Sequence, residues 1–362
     1  MRIALVIGSL RAGGAERVMS LLAAELLRRG HDVSLVTLSP PADDFFHVPP
    51  AVTRVNIGLE RESTGPLGGV VMNLRRIFAL RRSFAHQRPD VVLSFLTTMN
   101  VLCCVASLGA RHRLVVSERV DPSRYSVGRA WDTLRALAYR RAAVLVVQTE
   151  AVARWFRSAA ASPPVIVIPN PVQVAPADER PATPPYVLGM GRLEHQKGFD
   201  VLIKAFARLA PLRPGLELRI AGSGSQREAL AELAAQHGVA GRVRFLGLVA
   251  DAAALLRGAR AFALPSRFEG FPNALLEALA CGVPSVAADC PTGPRELLGD
   301  DAYGLLVAME DVDGLTSAIA RLLDDDDLAA KLSAAGPEVA KRYGVTAVTR
   351  QWEAAMRGEA AT

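Results

Sequence analysis

Two glutamates, Glu269 and Glu277, stand with seven residues between them in the run Phe268-Glu269-Gly270-Phe271-Pro272-Asn273-Ala274-Leu275-Leu276-Glu277. Gly270 and Pro272 predict a turn, and Asn273 is a good N-cap for a helix that follows. Amides at a helix start have no intrahelical partner and sit at the positive end of the dipole, so they suit a diphosphate. Glu277 falls about one turn into that helix, where its carboxylate can accept from ribose hydroxyls. Glu269 lies in the turn itself, beside the phosphate end.

A second cluster, Gly189-Met190-Gly191-Arg192-Leu193-Glu194-His195-Gln196-Lys197-Gly198-Phe199-Asp200, follows a strand-like run and opens a helix. Gly191 lets backbone approach a ligand closely, while Arg192 and Lys197 can reach a diphosphate from one side. Such charge matters most when a leaving phosphate gains negative charge. Gly222 and Gly224, in Ala221-Gly222-Ser223-Gly224-Ser225, form a third piece, although a lone Gly-x-Gly also fits any strand-to-helix turn. Gly13-Gly14-Ala15-Glu16-Arg17 makes a comparable turn near the start of the chain.

The elements that must position these residues alternate between apolar strand-like runs and helix-period segments, the pattern of parallel α/β layers. Strands are expected near residues 3–7, 33–38, 91–95, 114–117, 144–147 and 165–168. Helices are expected at 15–29, 70–88 and 130–141. A Pro- and Ala-rich stretch follows, and the pattern restarts with strands near 186–190, 216–221, 243–246, 261–264 and 285–288. The last 50 residues read as helical. The expectation is two doubly wound, Rossmann-like α/β domains, residues 1–170 and 185–345, joined by a linker at 171–184. A helix at 346–362 is expected to cross back to the first domain. Doubly wound sheets bind ligands at the carboxyl ends of their strands, which places the site in a cleft between the two domains.

Charge is uneven. Residues 1–180 carry 23 Arg and no Lys against 14 acidic residues, whereas residues 181–362 carry 19 Lys and Arg against 22 acidic residues. The basic half is expected to face an anionic ligand or surface. Within it, residues 70–88 place Val70, Leu74, Ile77, Phe78 and Phe84 among Arg75, Arg76, Arg81, Arg82 and Arg88. Such a helix can lie on an anionic membrane, grip a diphosphate-lipid, or pack on the sheet with a basic outer face. Few aromatic residues accompany these arginines, so no nucleic acid is expected. The first apolar run is short and lacks a small-residue cleavage site, so it reads as a buried strand rather than a signal peptide. No apolar stretch is long enough to span a membrane. Cys103, Cys104, Cys281 and Cys290 have no metal-ligand spacing and are too few for a disulfide framework, which favours a cytoplasmic setting. Asp311-Val312-Asp313 and the run Asp324 to Asp327 read as helix caps and solvated turns rather than a metal site.

Together the motifs resemble those of the retaining GT-B glycosyltransferases of family 4. The Glu-x7-Glu pair in its Glu-Gly-Phe-Pro-Asn setting, the Gly-Arg-Leu…Gln-Lys-Gly stretch and the glycine loops occur in the family's order along essentially the whole chain. The resemblance implies a nucleotide-sugar donor, with a UDP-sugar favoured, and a glycan or polyprenyl-diphosphate-linked acceptor. It implies donor binding by Gly14, Gly191, Gly222, Gly224, Gly270, Phe271, Pro272, Asn273, Leu275 and Glu277. It implies catalytic parts for Glu269, Arg192 and Lys197, two fixed cations standing where other enzymes use Mg²⁺, so that no metal or cofactor is required. Many members carry a His just after a strand of the first domain that contacts the transferred sugar. Here Ser117-Glu118-Arg119-Val120-Asp121-Pro122 puts Glu118 near that place. That run, with Cys290-Pro291-Thr292-Gly293-Pro294-Arg295-Glu296, is most similar to members that elongate polyprenyl-diphosphate-linked oligosaccharides at the inner face of the plasma membrane. Thr292 and Gly293 open a helix there. They are read either as contacts to the donor sugar or its phosphate or as a plain helix start.

A sugar-nucleotide epimerase of the same architecture is the rival enzyme class. It requires acid and base partners at the sugar, and the sequence offers no convincing set. A sugar-nucleotide sensor is a third class, distinguished by having no turnover to lose.

Overall fold

A computed structural model describes residues 1–60, 65–123, 126–158, 162–173 and 185–359; most of the expected linker, 174–184, lies outside the described residues. The chain forms two compact units, Met1–Pro171 with Val345–Thr362, and Val172–Gly344.

The first unit holds seven strands: β1 (Arg2–Ile7), β2 (Asp32–Thr37), β3 (Thr53–Asn56), β4 (Val91–Phe95), β5 (Arg113–Ser117), β6 (Val144–Val147) and β7 (Val165–Val167). They pair in parallel in the order β3-β2-β1-β4-β5-β6-β7. Helices α1 (Gly14–Arg28), α2 (Gly65–Gln87), α3 (Thr97–Ala106), α4 (Arg129–Ala138) and α5 (Glu150–Arg157) cover the sheet. Covered on both faces, its strands read as continuous apolar runs, and β4 and β6 are buried at every residue. On α1, Val18, Met19, Leu22, Ala23 and Leu26 recur at helical spacing and are buried against the sheet. The helix stops because Gly30 takes φ +83°, its amide bonding back to Leu27 O at 3.0 Å.

The second unit holds β8 (Tyr186–Met190), β9 (Glu217–Ala221), β10 (Val243–Gly247), β11 (Ala261–Leu264), β12 (Ser285–Ala288) and β13 (Leu305–Val307). These pair in parallel in the order β10-β9-β8-β11-β12-β13. Around them lie α6 (Phe199–Leu209), α7 (Arg227–Gln236), α8 (Ala252–Gly258), α9 (Asn273–Ala280), α10 (Pro294–Leu298), α11 (Val312–Asp324) and α12 (Asp326–Arg342). Strand order reverses between β8 and β11 in this sheet, and between β1 and β4 in the other. At such a reversal the flanking helices diverge to opposite faces and leave a crevice at the strands' carboxyl ends.

The last helix, α13 (Val345–Arg357), belongs to the first unit. Its Trp352 is fully buried in that unit's core, with ring centroid 5.6 Å from Phe95. Glu353 of α13 accepts from Arg29 Nη2 at 2.7 Å and pairs with His31 Nε2 at 2.7 Å.

The structure adds elements absent from the sequence reading: β3, β13, α3, α5 and α8. The helix expected at 130–141 ends at Ala138 and tightens into a 3₁₀ turn over Tyr139–Arg141. Both acidic runs serve as helix caps. Asp311 accepts from Gly314 N at 2.8 Å and Asp325 from Leu328 N at 2.9 Å, while Asp313 and Asp324 pair with Arg208 and Arg213. Among the described residues no cluster of three His, Cys, Asp or Glu side chains could hold a metal, and no helix is long and apolar enough to cross a membrane.

Candidate active site

The carboxyl ends of β8 and β11, either side of the reversal, carry the two strongest motifs. After β8 the chain runs through Gly191–Glu194 into a 3₁₀ turn, His195–Lys197, and then α6. After β11 it runs through Pro265–Pro272 into α9. Gln196 joins the two loops. Its Oε1 accepts from Arg192 Nη2 at 2.9 Å, its Nε2 donates to Phe268 O at 2.8 Å, and its carbonyl accepts from Arg267 N at 2.8 Å.

Lys197 Nζ crosses between the loops and donates to Glu269 Oε1 at 2.6 Å. Both side chains are largely buried, with 14% of Lys197 and 5% of Glu269 exposed. Ser266 Oγ donates to the same carboxylate oxygen at 2.7 Å. From the β12–α10 loop, Thr292 Oγ1 donates to Glu269 O. Glu269 is thus held at carboxylate and backbone by three different segments, while Arg192 stays exposed a few residues from Lys197.

Helix α9 begins at Asn273, and Pro272, not Asn273, is the capping residue, with no side-chain cap bond. This corrects the expected cap: Pro272 occupies the last non-helical position, so Asn273 is already inside the first turn. Asn273 N bonds to Phe271 O at 3.0 Å and Leu276 N to Pro272 O at 3.1 Å, and helix geometry leaves the amides of Ala274 and Leu275 to an incoming acceptor. Asn273 and Glu277, one turn apart, share the less buried face of α9, whereas Leu275, Leu276 and Leu279 pack inward. Phe271 and Pro272 are buried and Gly270 is partly so.

The loop after β9 presses on the loop after β8. Gly191 N bonds to Ala221 O and Leu193 N to Ser223 O, each at 2.9 Å. Glu194 accepts from the amide and the hydroxyl of Ser225, both at 2.9 Å, which holds its carboxyl below the usual range. A Cβ on Gly222 would collide with Gly191 O, and one on Gly224 with Leu193 O. Close backbone approach explains both glycines.

In the first unit, Gly13 precedes α1 in an extended conformation and Gly14 is the first helical residue. Glu118, expected near the transferred sugar, lies in the interior of the unit. It is fully buried, Oε1 accepting from Thr97 Oγ1 and Oε2 from the Tyr139 hydroxyl, each at 2.8 Å. Burial raises its carboxyl pKa, partly opposed by those two bonds. Each oxygen is thus bonded inside the unit, which gives Glu118 a structural part there. Its neighbour Arg119 is buried over the Phe95 ring, 4.3 Å from the centroid, and donates to Asn170 Oδ1.

Ser266 and the Arg267 clamp were missed by sequence reasoning, and Gln196, quoted within the second cluster, was given no role of its own. Arg267 donates to both Asp200 oxygens, at 2.9 and 2.8 Å, and pairs with Glu310. Ser266 and Arg267 sit directly after β11, so their position at the strand reversal was the available signal; nothing local marks Asp200 or Glu310 as their partners.

Comparison with known proteins gives the family and supports the fold. The family model described as glycosyl transferases group 1 matches residues 175–339, and that of the glycosyl transferase 4-like domain matches residues 13–171. The chain belongs to the GT-B glycosyltransferases of family 4. This glycosyltransferase is 27% identical, over 97% of both chains, to a Campylobacter jejuni enzyme named as an α-1,4-N-acetylgalactosaminyltransferase acting on an undecaprenyl-diphosphate-linked GalNAc–GalNAc–diNAcBac glycan. A second C. jejuni 4-α-N-acetylgalactosaminyltransferase, whose name specifies a diphospho-undecaprenol-linked substrate, is 26% identical over 90% of this chain and 91% of its own. In fold the glycosyltransferase is similar to an Anabaena protein solved with UDP and glucose, at TM-score 0.81, 22% identity and 99% coverage of each. It is also similar to sucrose-phosphate synthase from Thermosynechococcus elongatus, at TM-score 0.83, 20% identity and coverage of 99% and 98%.

Proposed function

We propose that this glycosyltransferase moves a hexose or N-acetylhexosamine from a UDP-sugar to a hydroxyl of a glycan or polyprenyl-diphosphate-linked acceptor, with retention of anomeric configuration. The observation that carries the reading is the Lys197–Glu269 pair at 2.6 Å across the strand reversal, with Arg192 beside it and the start of α9 just beyond. The relatives named above for transfer to undecaprenyl-diphosphate-linked glycans support the acceptor class, and the UDP complex of a structural neighbour supports the nucleotide.

In this mechanism Arg192, Lys197 and the leading amides of α9 take up the donor diphosphate. Glu277 accepts from the ribose hydroxyls. Glu269 orients the Lys197 ammonium and stabilises charge near the sugar. As the bond from the anomeric carbon to the β-phosphate oxygen breaks, its electron pair stays with that oxygen, and the fixed cations stabilise the growing charge. The acceptor hydroxyl forms the new bond on the same face and passes its proton to the leaving phosphate oxygen. No side-chain base takes part and the two cations stand in for a metal.

Screening nucleotide sugars by released nucleotide, with and without a polyprenyl-diphosphate-linked acceptor, tests donor and acceptor together; NMR of the product tests the anomeric outcome. Acceptor-independent conversion of the donor to its epimer would replace transfer by epimerisation, and an inverted linkage would remove retention.

A further inference from the structure

Helix α2 carries large apolar side chains on its outer face as well as its inner one. Its inner face is anchored conventionally. Leu80 and Phe84 are buried in the first unit's core, and Arg76 donates to Leu59 O at 2.9 Å. On the outer face Leu67, Val71, Leu74 and Phe78, spaced four, three and four residues apart, form one stripe on the solvent side, with Val70 alongside. Leu67 is 85% and Phe78 78% exposed, and Val70, Val71 and Leu74 are each at least half exposed. A soluble surface seldom leaves so many large apolar side chains contiguous unless something covers them.

The charges around the stripe select the cover. Exposed Arg75 and Arg82 flank it on one side and Arg81 on the other, Arg81 also donating to Leu108 O at 2.6 Å. From residue 65 to 87 the helix contains no Asp or Glu. On the same side of the sheet, α3 packs between α2 and α4, and α4 leaves Leu134 and Leu137 exposed together with Arg129. Within the described residues of α2 the stripe is bordered by arginines and by no acidic side chain, and Asp132 of α4 is paired with Arg135; such a stripe complements a surface that is negative at its headgroups and apolar beneath them. A protein-binding helix would need only the stripe, and a nucleic acid only the arginines.

We infer that the outer face of α2, extended by α4, is a docking surface for an anionic lipid bilayer, with Leu67, Val71, Leu74 and Phe78 entering the headgroup–acyl boundary and Arg75 and Arg82 held at the headgroups. This inference stands apart from the donor chemistry, since none of these residues belongs to the β8–β11 loop cluster. It fixes which face of the first unit meets the membrane.

The test is flotation of the full chain with vesicles of phosphatidylcholine alone and of phosphatidylcholine with 30 mol% phosphatidylglycerol. The expected result is binding to the anionic vesicles, weakened by salt. Leu74→Glu with Phe78→Glu abolishes it, and Arg75→Ala with Arg82→Ala weakens it by about fivefold for each arginine. Because all four side chains are exposed, the variants keep the wild-type circular dichroism and melting temperature and the wild-type rate of donor turnover with a water-soluble acceptor. Equal binding to neutral and anionic vesicles, or undiminished binding by the double glutamate variant, overturns the inference. So does a concentration-dependent dimer that Phe78→Glu dissolves while vesicles are ignored, which assigns the stripe to a second copy of the chain.

Discussion

Lys197 and Glu269, 72 residues apart in sequence, meet at 2.6 Å because the strands before their loops, β8 and β11, are neighbours where the second sheet reverses. Glu269 accepts from Ser266 as well, so the lysine lies against a carboxylate that cannot turn away. The pair therefore fixes the Lys197 ammonium at the crevice at little further entropic cost when a phosphate arrives.

Removing either member should damage transfer more than folding. Lys197→Ala forfeits a charge-assisted contact of about 1.5–3 kcal/mol, roughly ten- to a hundredfold in turnover. Glu269→Gln keeps the shape but releases the ammonium, and a drop of at least tenfold is expected with the fold retained. Released-nucleotide kinetics beside thermal melts check both; wild-type turnover by Lys197→Ala rules out the proposed phosphate contact.

Gly222 is constrained by φ +141° and by the Gly191 carbonyl where its Cβ would stand. Gly222→Ala must push the β8 and β9 loops apart or strain the backbone, each costing about 1–3 kcal/mol. The expected variant is folded, melts several degrees lower and loses most of its donor turnover. An unaltered melt would show that these loops are looser than their backbone hydrogen bonds indicate.

Glu118 is predicted to matter for the interior alone. Glu118→Gln preserves volume and one acceptor, and should transfer sugar within a few-fold of wild type. Glu118→Ala leaves Thr97 and Tyr139 without their acceptor and should cost about 1–3 kcal/mol of stability. A Gln variant that melts like wild type yet no longer transfers would give Glu118 a catalytic part.

Acid stability of the first unit should report on Glu353. Hydrogen bonds from Arg29 first and His31 after it hold its carboxyl at about 2, below the ordinary 4.5. The unfolded chain takes up the proton first, so the stabilisation is complete above about pH 4.5 and is lost as pH falls toward 2. At most it amounts to about 3 kcal/mol. Unfolding followed by far-ultraviolet circular dichroism from pH 6 to 2 should show this loss in the wild type and a shallower one in Glu353→Gln. In the same helix, Trp352→Ala empties a fully buried site and should cost about 3–5 kcal/mol at neutral pH.

Much of the architecture was legible because parallel sheets covered on both faces write themselves as unbroken apolar runs, and β1, β4, β6, β8 and β11 fall where those runs occur. Most of the elements that escaped are short or lie at an edge, α3 being the exception at ten residues. In β3, Thr-Arg-Val-Asn carries too little hydrophobicity to distinguish an edge strand from a loop. The cap of α9 was misplaced by one residue, since Asn is a good cap by composition and only the backbone angles reveal that Pro272 already holds that position.

By itself the sequence determined the chemistry on offer: which loops carry Arg192, Lys197 and Glu269, that each loop follows a strand and precedes a helix, and that Glu277 lies about one turn into the helix after Glu269. Those are local matters of residue type, glycine spacing and hydrophobic period. Only the tertiary structure decided which charges meet. Lys197 pairs with Glu269, Arg267 with Asp200 and Glu310, and Glu353 with Arg29, whereas Glu118 turns inward to Thr97 and Tyr139. Strand order and helix packing set those distances, and an ion pair between residues far apart in the chain leaves no periodic trace in either segment.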